Sequence, residues 1–258
     1  MNSASRSISS IAGAFVLGVC LVAALGAQEN PPAENVKRAS VPVQFVGCKS
    51  DGQIGPQDAP KLESKPIALA SDLAQRLAFY EAEDGPGVLA PKGWYCFGIY
   101  GSNGATLFVS PEPITSANLF SDRWNGFAGP VIQISLSVGD TSGRFEVAKE
   151  IARVFPDYAA FVKGVIAEGI VPASSFPSGP YPGDRIKRRS KTIVEFETPA
   201  NAEGLGTDSR LLKNGSLICG MLRLVGEEPN LVHLSLRLPA ANADLTKAII
   251  EHAEHETY

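Results

Sequence analysis

The feature that most limits what this chain can fold into is an uncharged apolar segment at residues 11–25, which no later stretch matches in length. Arg6 precedes it, and the small residues Gly26 and Ala27 follow it. A positive start, a short apolar run and small residues are typical of a cleavable secretory signal. Because a bilayer-spanning helix needs about 20 apolar residues, an uncleaved anchor is the less favoured alternative. We therefore predict a signal peptide at residues 1–27.

Export sets the expectations for the cysteines. Three of the four cysteines, Cys48, Cys96 and Cys219, follow the predicted signal. Oxidising compartments favour disulfides, and three cysteines leave one over. Cys48 and Cys96 lie beside glycine-rich loops, whereas Cys219 lies in an alternating strand, where buried free thiols are common. The sequence favours a Cys48–Cys96 disulfide in the periplasm or the extracellular space, and leaves open the other pairings and three unpaired thiols.

Composition excludes several classes of protein. The chain of 258 residues is 44% hydrophobic and 19% charged, which is ordinary for a globular domain. Its net charge is −4, and loss of the signal with Arg6 makes the mature chain more negative. An acidic protein is a poor default binder of nucleic acid or of anionic membranes. We expect no nucleic-acid partner and no stable membrane span in the mature form.

The remaining pattern predicts a flexible, proline-rich leader at residues 28–40 and one globular domain at residues 41–258. A Pro/Gly loop at residues 172–184 is the best sub-boundary. Asn103-Gly104 between two β-prone runs is a strong hairpin signal. Strands are predicted at 41–46, 94–101, 105–110, 131–138, 191–197, 217–225 and 231–238, and helices at 71–83, at 144–168 with a break at Pro156, and from 242 onward. Adjacent runs of strands argue for an α+β fold, a mostly antiparallel sheet with three to four helices packed on it.

Aromatic residues around the predicted hairpin are the best candidates for a ligand-binding surface. Strand alternation places Trp94 and Tyr100 on one face with Gly98 between them, which leaves room for a close approach. Asn103 lies in the turn, and Trp124 follows nearby in the sequence. Two aromatic rings beside a glycine can form a shelf for a sugar or another flat group. The plainer alternative is that these rings pack in the core.

Two charged patterns suggest other chemistry. Glu195 and Glu197 alternate with apolar residues, so both carboxylates lie on one strand face, roughly 6–7 Å apart. That separation is within reach of a glycosidase acid/base pair, although any half-buried strand shows the same pattern. The basic cluster at residues 185–191 can contact an anionic polymer of the cell envelope, or it can protect a sheet edge from pairing.

Histidine-based sites are weaker leads. The spacing of Cys96 and His233 is within the range of papain-like enzymes, but Cys96 lies in a strand rather than at a helix N-terminus, and a disulfide would consume its thiol. His252 and His255 share a helix face, yet they stand where a terminal helix frays. The sequence predicts no metal site and no cofactor.

Two segments resemble a set of bacterial exported proteins to which no function is assigned. They are APKGWYCFGIYGSNG at residues 90–104 and ETPANAEGLGT at residues 197–207. Together with the predicted signal, this likeness extends over most of the mature chain. It implies an envelope or secreted location, and it supplies neither an activity nor site residues.

These observations favour an exported, non-catalytic binding or envelope-associated domain, with an envelope glycan or protein as its partner. The alternative is a periplasmic or secreted hydrolase that uses carboxylate general acid/base chemistry. Convergence of Glu195, Glu197 and His233 in one water-accessible cleft would favour the hydrolase. No motif names a reaction, so the sequence leaves open whether the protein is an enzyme.

Overall fold

The computed structural model describes residues 40–257, which form two β-sheets and five α-helices. The strands are β1 Ser40–Gly47, β2 Ser50–Gly52, β3 Ser64–Ala68, β4 Leu77–Glu81, β5 Val88–Pro91, β6 Tyr95–Gly101, β7 Gly104–Ser110, β8 Val131–Ser137, β9 Arg185–Arg188, β10 Ile193–Thr198, β11 Ile218–Val225 and β12 Asn230–Arg237. The helices are α1 Ser71–Arg76, α2 Ser116–Leu119, α3 Arg144–Val154, α4 Ala159–Ala167 and α5 Thr246–His255. The predicted signal and all of the predicted leader except Ser40 lie outside the described residues.

The larger sheet has eight strands in the order β2-β6-β7-β8-β12-β11-β10-β9, and all of its neighbours except β2 and β6 are antiparallel. The predicted hairpin forms its β6–β7 pair, with Gly101 opposite Gly104. Gly104 has a φ of 132°, and a Cβ there would lie 1.8 Å from the Leu136 carbonyl oxygen. Only glycine fits this position, because the backbone of β8 approaches the start of β7 closely there. The α+β class and the mostly antiparallel pairing are confirmed.

The smaller sheet has the order β3-β1-β4-β5, with β1 and β4 parallel. The predicted helix over residues 71–83 is wrong beyond Arg76, because β4 begins at Leu77. Residues 77–80 are all buried, and Phe79 pairs with Phe45 of β1. A strand that is buried on both faces has no alternation, so its apolar spacing resembled a helical stripe.

The two faces of the larger sheet pack against different elements. On the α5 face, Leu107, Ile134 and Leu234 join a cluster with the smaller sheet and α5. On the α3 face, Leu222 and Leu231 join a second cluster with α3 and α4. The loop at residues 172–184 contributes a buried phenylalanine, Phe176, to this second cluster. The positions of α5 and of the sheet edge at β9 define the site described below.

A disulfide joins the two sheets. Cys48 follows β1 of the smaller sheet, Cys96 lies in β6 of the larger one, and the two are bonded, while Cys219 is a free thiol. The pairing that the sequence favours is therefore confirmed. Such a bond is typical of proteins of oxidising compartments. Within residues 40–257, no helix has the length and apolar character needed to cross a bilayer.

Candidate functional site

A cavity lies where the edge of the larger sheet meets α5, and we call it the edge cleft. Its volume is about 740 Å³, within the usual range of small-ligand sites. Strands β9, β10 and β11 form one wall, and the turn before α5 with the first half of α5 forms the other. The lining residues are Arg185, Ile186, Lys187, Arg189, Glu195, Phe196, Glu197, Cys219, Ala243, Asp244, Thr246, Lys247, Ile250 and Glu251.

Cross-strand register supplies the charges of the strand wall. Lys187 lies opposite Glu195, and Arg185 lies opposite Glu197, so oppositely charged side chains meet on the α5 face. The Lys187 ammonium is 3.0 Å from a Glu195 carboxylate oxygen, and the Arg185 guanidinium donates to Glu197. The side chains of Arg185 and Lys187 are 68% and 63% exposed. These cations therefore stand at the mouth of the cleft, in contact with water.

Arg189 and Glu195, which line the cleft, lie close to Glu254 of α5, which lies outside the lining. The Arg189 Nε atom lies 3.1 Å from Glu195 Oε1 and 3.7 Å from Glu254 Oε1. Burial raises the pKa of the Glu254 carboxyl, and a hydrogen bond with Glu195 raises it further. Two carboxyl groups this close hold one proton between them more readily than two charges. Arg189 therefore contacts both carboxyl groups of the pair.

The helix wall carries both signs of charge as well. Lys247 and Glu251 of α5 are 3.5 Å apart across one helical turn. Asp244, in the turn before α5, accepts from the Arg76 guanidinium at 2.9 Å. The cleft thus has four basic and four acidic side chains around its apolar surface. Such a lining suits a ligand with charged groups on an apolar body.

Cys219 also lines the cleft, on β11 opposite Glu197. Burial raises the pKa of the Cys219 thiol to about 11, and the nearby Glu197 carboxylate acts in the same direction. The thiolate is the nucleophilic form of cysteine, and at neutral pH this side chain stays protonated. Cys219 is therefore a wall residue rather than an activated nucleophile.

The four aromatic and polar residues that the sequence proposes for ligand binding do not share one groove. Trp94 is half-buried and packs against the cluster on the α5 face, and its backbone N–H donates to the Tyr80 hydroxyl at 3.2 Å. Trp124 is also half-buried but packs edge-on against Phe127, 4.9 Å between ring centroids, in a cluster on the opposite face.

Tyr100 and Asn103 lie elsewhere. Tyr100 lines a separate groove of about 400 Å³ beside the exposed Ile54, and its hydroxyl donates to the Gly55 carbonyl. Asn103 is exposed in the hairpin turn, where its backbone carbonyl accepts from the Val138 N–H. The sequence placed these residues near one another along the chain, but the fold separates them.

Glu195 and Glu197 both line the edge cleft, as their alternation predicts, while His233 is not among its lining residues. The His233 ring packs edge-on against Phe196 at 5.7 Å, and its Nε2 atom lies 3.2 Å from the Ser235 hydroxyl. Burial lowers the pKa of His233. Two of the three residues that the sequence proposes for a hydrolase therefore share a cleft, and each of the two binds a cation.

His252, one of the two histidines near the C-terminus, makes structural contacts. His252 packs edge-on against Phe79 and lies 3.2 Å from the Glu256 carboxylate. Among residues 40–257, no group of three or more histidine, cysteine, aspartate or glutamate side chains is arranged to hold a metal ion.

Sequence reasoning missed half of the edge cleft. Lys247 of α5 and the residues of the turn before α5 carried no signal that linked them to β9, because α5 reaches the sheet edge only in the folded chain. Comparison with known proteins adds no relative: no family model matches the chain, and no curated protein or solved structure shows significant similarity to it.

Proposed function

We propose that this chain is an exported, non-catalytic binding domain and that the edge cleft holds its ligand. The observation that carries the proposal is the row of exposed cations from β9 at the cleft mouth, paired with carboxylates that water also reaches. Ion pairs at such positions contribute only about 0–1 kcal/mol. A ligand can therefore replace one partner of a pair at little cost.

The location is part of the proposal. The predicted signal at residues 1–27 directs the chain to the periplasm or the extracellular space, and the Cys48–Cys96 disulfide suits either compartment. In both places the protein meets envelope glycans and the peptides of exported proteins. These two classes supply the partners that the cleft is proposed to bind.

The test is a binding experiment with the mature chain, residues 28–258. Isothermal titration calorimetry against a panel of envelope glycans and exported peptides identifies a binder, and two tryptophan variants then locate it. Ala243 is exposed and lines the cleft, so Ala243→Trp fills the cleft and should weaken binding at least tenfold. Ala241→Trp is the matched control, because Ala241 is exposed in the same turn but does not line the cleft. Equal affinities for the two variants, or no binder in the panel, would refute the proposal.

One observation favours the second candidate, a carboxylate hydrolase. Glu195 lines the cleft and shares a hydrogen bond with Glu254 of α5, whose pKa is raised by burial, and a carboxyl group with a raised pKa can serve as a general acid. Turnover of glycoside, peptide or ester substrates that Glu195→Gln and Glu254→Gln both abolish would establish this candidate. The binding proposal expects no turnover by the wild-type protein.

A further inference from the structure

The outer edge of β9 is the feature from which a specific ligand class follows. Strand β9 is last in the order of the larger sheet, so within the described residues no strand pairs with its outer side. The Arg189 N–H donates to the Ile193 carbonyl at 2.9 Å, which fixes the hydrogen-bonded pairs of the β9–β10 ladder. Because these pairs alternate along antiparallel strands, the backbone groups of Ile186 and Arg188 point outward.

The side chains above this edge are cationic. Arg185, Lys187 and Arg189 stand on the α5 face, at the mouth of the edge cleft. Glu195 and Glu197 contact all three of these cations, and Glu254 of α5 also lies 3.7 Å from Arg189. Strand pairing gives Arg185 and Lys187 acidic neighbours only on the side of β10. On the outer side of β9, no paired strand in the described part of the chain places a carboxylate beside them.

Strand β10 shows which sequence suits β9 as a partner. Its residues 194–197 read Val-Glu-Phe-Glu, with both glutamates on the face of the β9 cations and both apolar side chains buried on the other face. A strand added on the outer side of β9 would lie beside the same β9 residues, on the side away from β10. The side chains that it presents beside Arg185 and Lys187 stand two positions apart, as Glu197 and Glu195 do.

We propose that the ligand of this domain is an extended acidic peptide segment that adds to the outer edge of β9 as a further strand. The segment carries acidic residues at alternating positions, and these bind Arg185 and Lys187 from the cleft side. Backbone hydrogen bonds to Ile186 and Arg188 supply affinity, and the alternating charges supply specificity. This inference rests on the proposed function and names the class of ligand for that same site.

A second copy of the chain is a poorer occupant of this edge. Pairing of two β9 strands would bring Arg185 and Lys187 close to the like charges of the other copy, and like charges on neighbouring strands destabilise the pair. An anionic glycan can bind the cations, but it lacks the alternating backbone N–H and C=O groups that pair with a strand edge. The experiment separates these occupants.

The probe is a capped peptide with the sequence of residues 192–198, Thr-Ile-Val-Glu-Phe-Glu-Thr, titrated into the mature protein. We expect saturable binding. Replacing both peptide glutamates with glutamine should weaken binding at least tenfold. A second control methylates the backbone nitrogen of the peptide phenylalanine, which keeps both charges and removes the hydrogen bond to the outward edge, and it should also weaken binding at least tenfold.

On the protein, Ile186→Pro removes an outward N–H, a position at which edge strands tolerate proline. It should weaken peptide binding without altering the far-ultraviolet circular dichroism. If that variant does not fold, the methylated peptide still decides the question.

Equal binding of the parent and methylated peptides would overturn strand addition in favour of a charge-only ligand such as an anionic glycan. Equal binding of the glutamate and glutamine peptides would overturn the acidic class. Concentration-dependent dimerisation that Ile186→Pro abolishes would assign the edge to a second copy.

The failure of this inference is distinguishable from that of the proposed function. A glycan that binds in a manner sensitive to Ala243→Trp, together with no binding of acidic peptides, would leave the cleft as the ligand site and reject the peptide.

Discussion

Removal of the Cys48–Cys96 disulfide should destabilise the protein by about 4 kcal/mol. The bond joins residues 48 positions apart, and the chain-entropy relation gives about 4 kcal/mol for a loop of that length at 25 °C. The stabilisation arises because the unfolded chain loses freedom when its loop is closed. The variant should therefore retain its native contacts and unfold more easily, with a larger m-value because its unfolded state is more expanded.

The measurement is guanidinium unfolding of the double variant Cys48→Ala/Cys96→Ala, followed by tryptophan fluorescence, since Trp94 lies next to the bond. Alanine suits Cys48, which is fully buried in an apolar cluster. The matched control is Cys219→Ala, which removes a half-buried free thiol and should cost about 1 kcal/mol or less. A double-variant loss below about 1 kcal/mol, or a control loss as large as that of the double variant, would refute the reasoning.

Three further predictions test other features of the molecule. Trp94→Ala should cost about 2 kcal/mol in the same assay, because the half-buried ring packs on the core rather than standing free. Glu150 is buried on α3, 3.4 Å from the Lys149 ammonium. Burial raises the pKa of Glu150 to about 7, so its ionisation opposes folding, and stability should fall on the order of 2–3 kcal/mol as the pH rises from about 4.5 to 7. Glu150→Gln should lack that loss when unfolding is measured across the range. Intact mass of the exported protein should place its N-terminus at Ala27 or Gln28, and a full-length cytosolic chain would contradict the predicted signal.

The parts of the fold that follow from the sequence are those with local causes. Asn103-Gly104 predicts the hairpin from adjacent residues alone, and Gly104 has the positive φ that glycine tolerates and lies where the backbone of β8 leaves no room for a Cβ. By contrast, the strand that begins at Leu77 was predicted as helix. Its conformation is set by pairing with β1, where Phe45 lies opposite Phe79, and a distant partner leaves no signal in the local spacing.

The candidate site divides in the same way. Alternation alone places Glu195 and Glu197 on one face, and composition alone identifies the basic cluster at residues 185–191. The register between β9 and β10, which pairs the two groups, appears only in the folded sheet. For Trp94 and Trp124 the sequence suggested a shared surface that the fold does not form. The two residues are close in sequence, but they pack on opposite faces of the larger sheet.

The edge strand β9 reconciles the two explanations that the sequence leaves open for its basic cluster. Charges on an edge strand hinder pairing with other chains, and this protection is strongest against strands that carry the same charge. This protection does not extend to an acidic strand, because Arg185 and Lys187 already form ion pairs with Glu197 and Glu195 of the inner neighbour β10. Under the strand-addition proposal, the same side chains disfavour a second copy and favour an acidic segment, so protection of the edge and recognition at the edge would be one electrostatic property of β9 rather than competing functions.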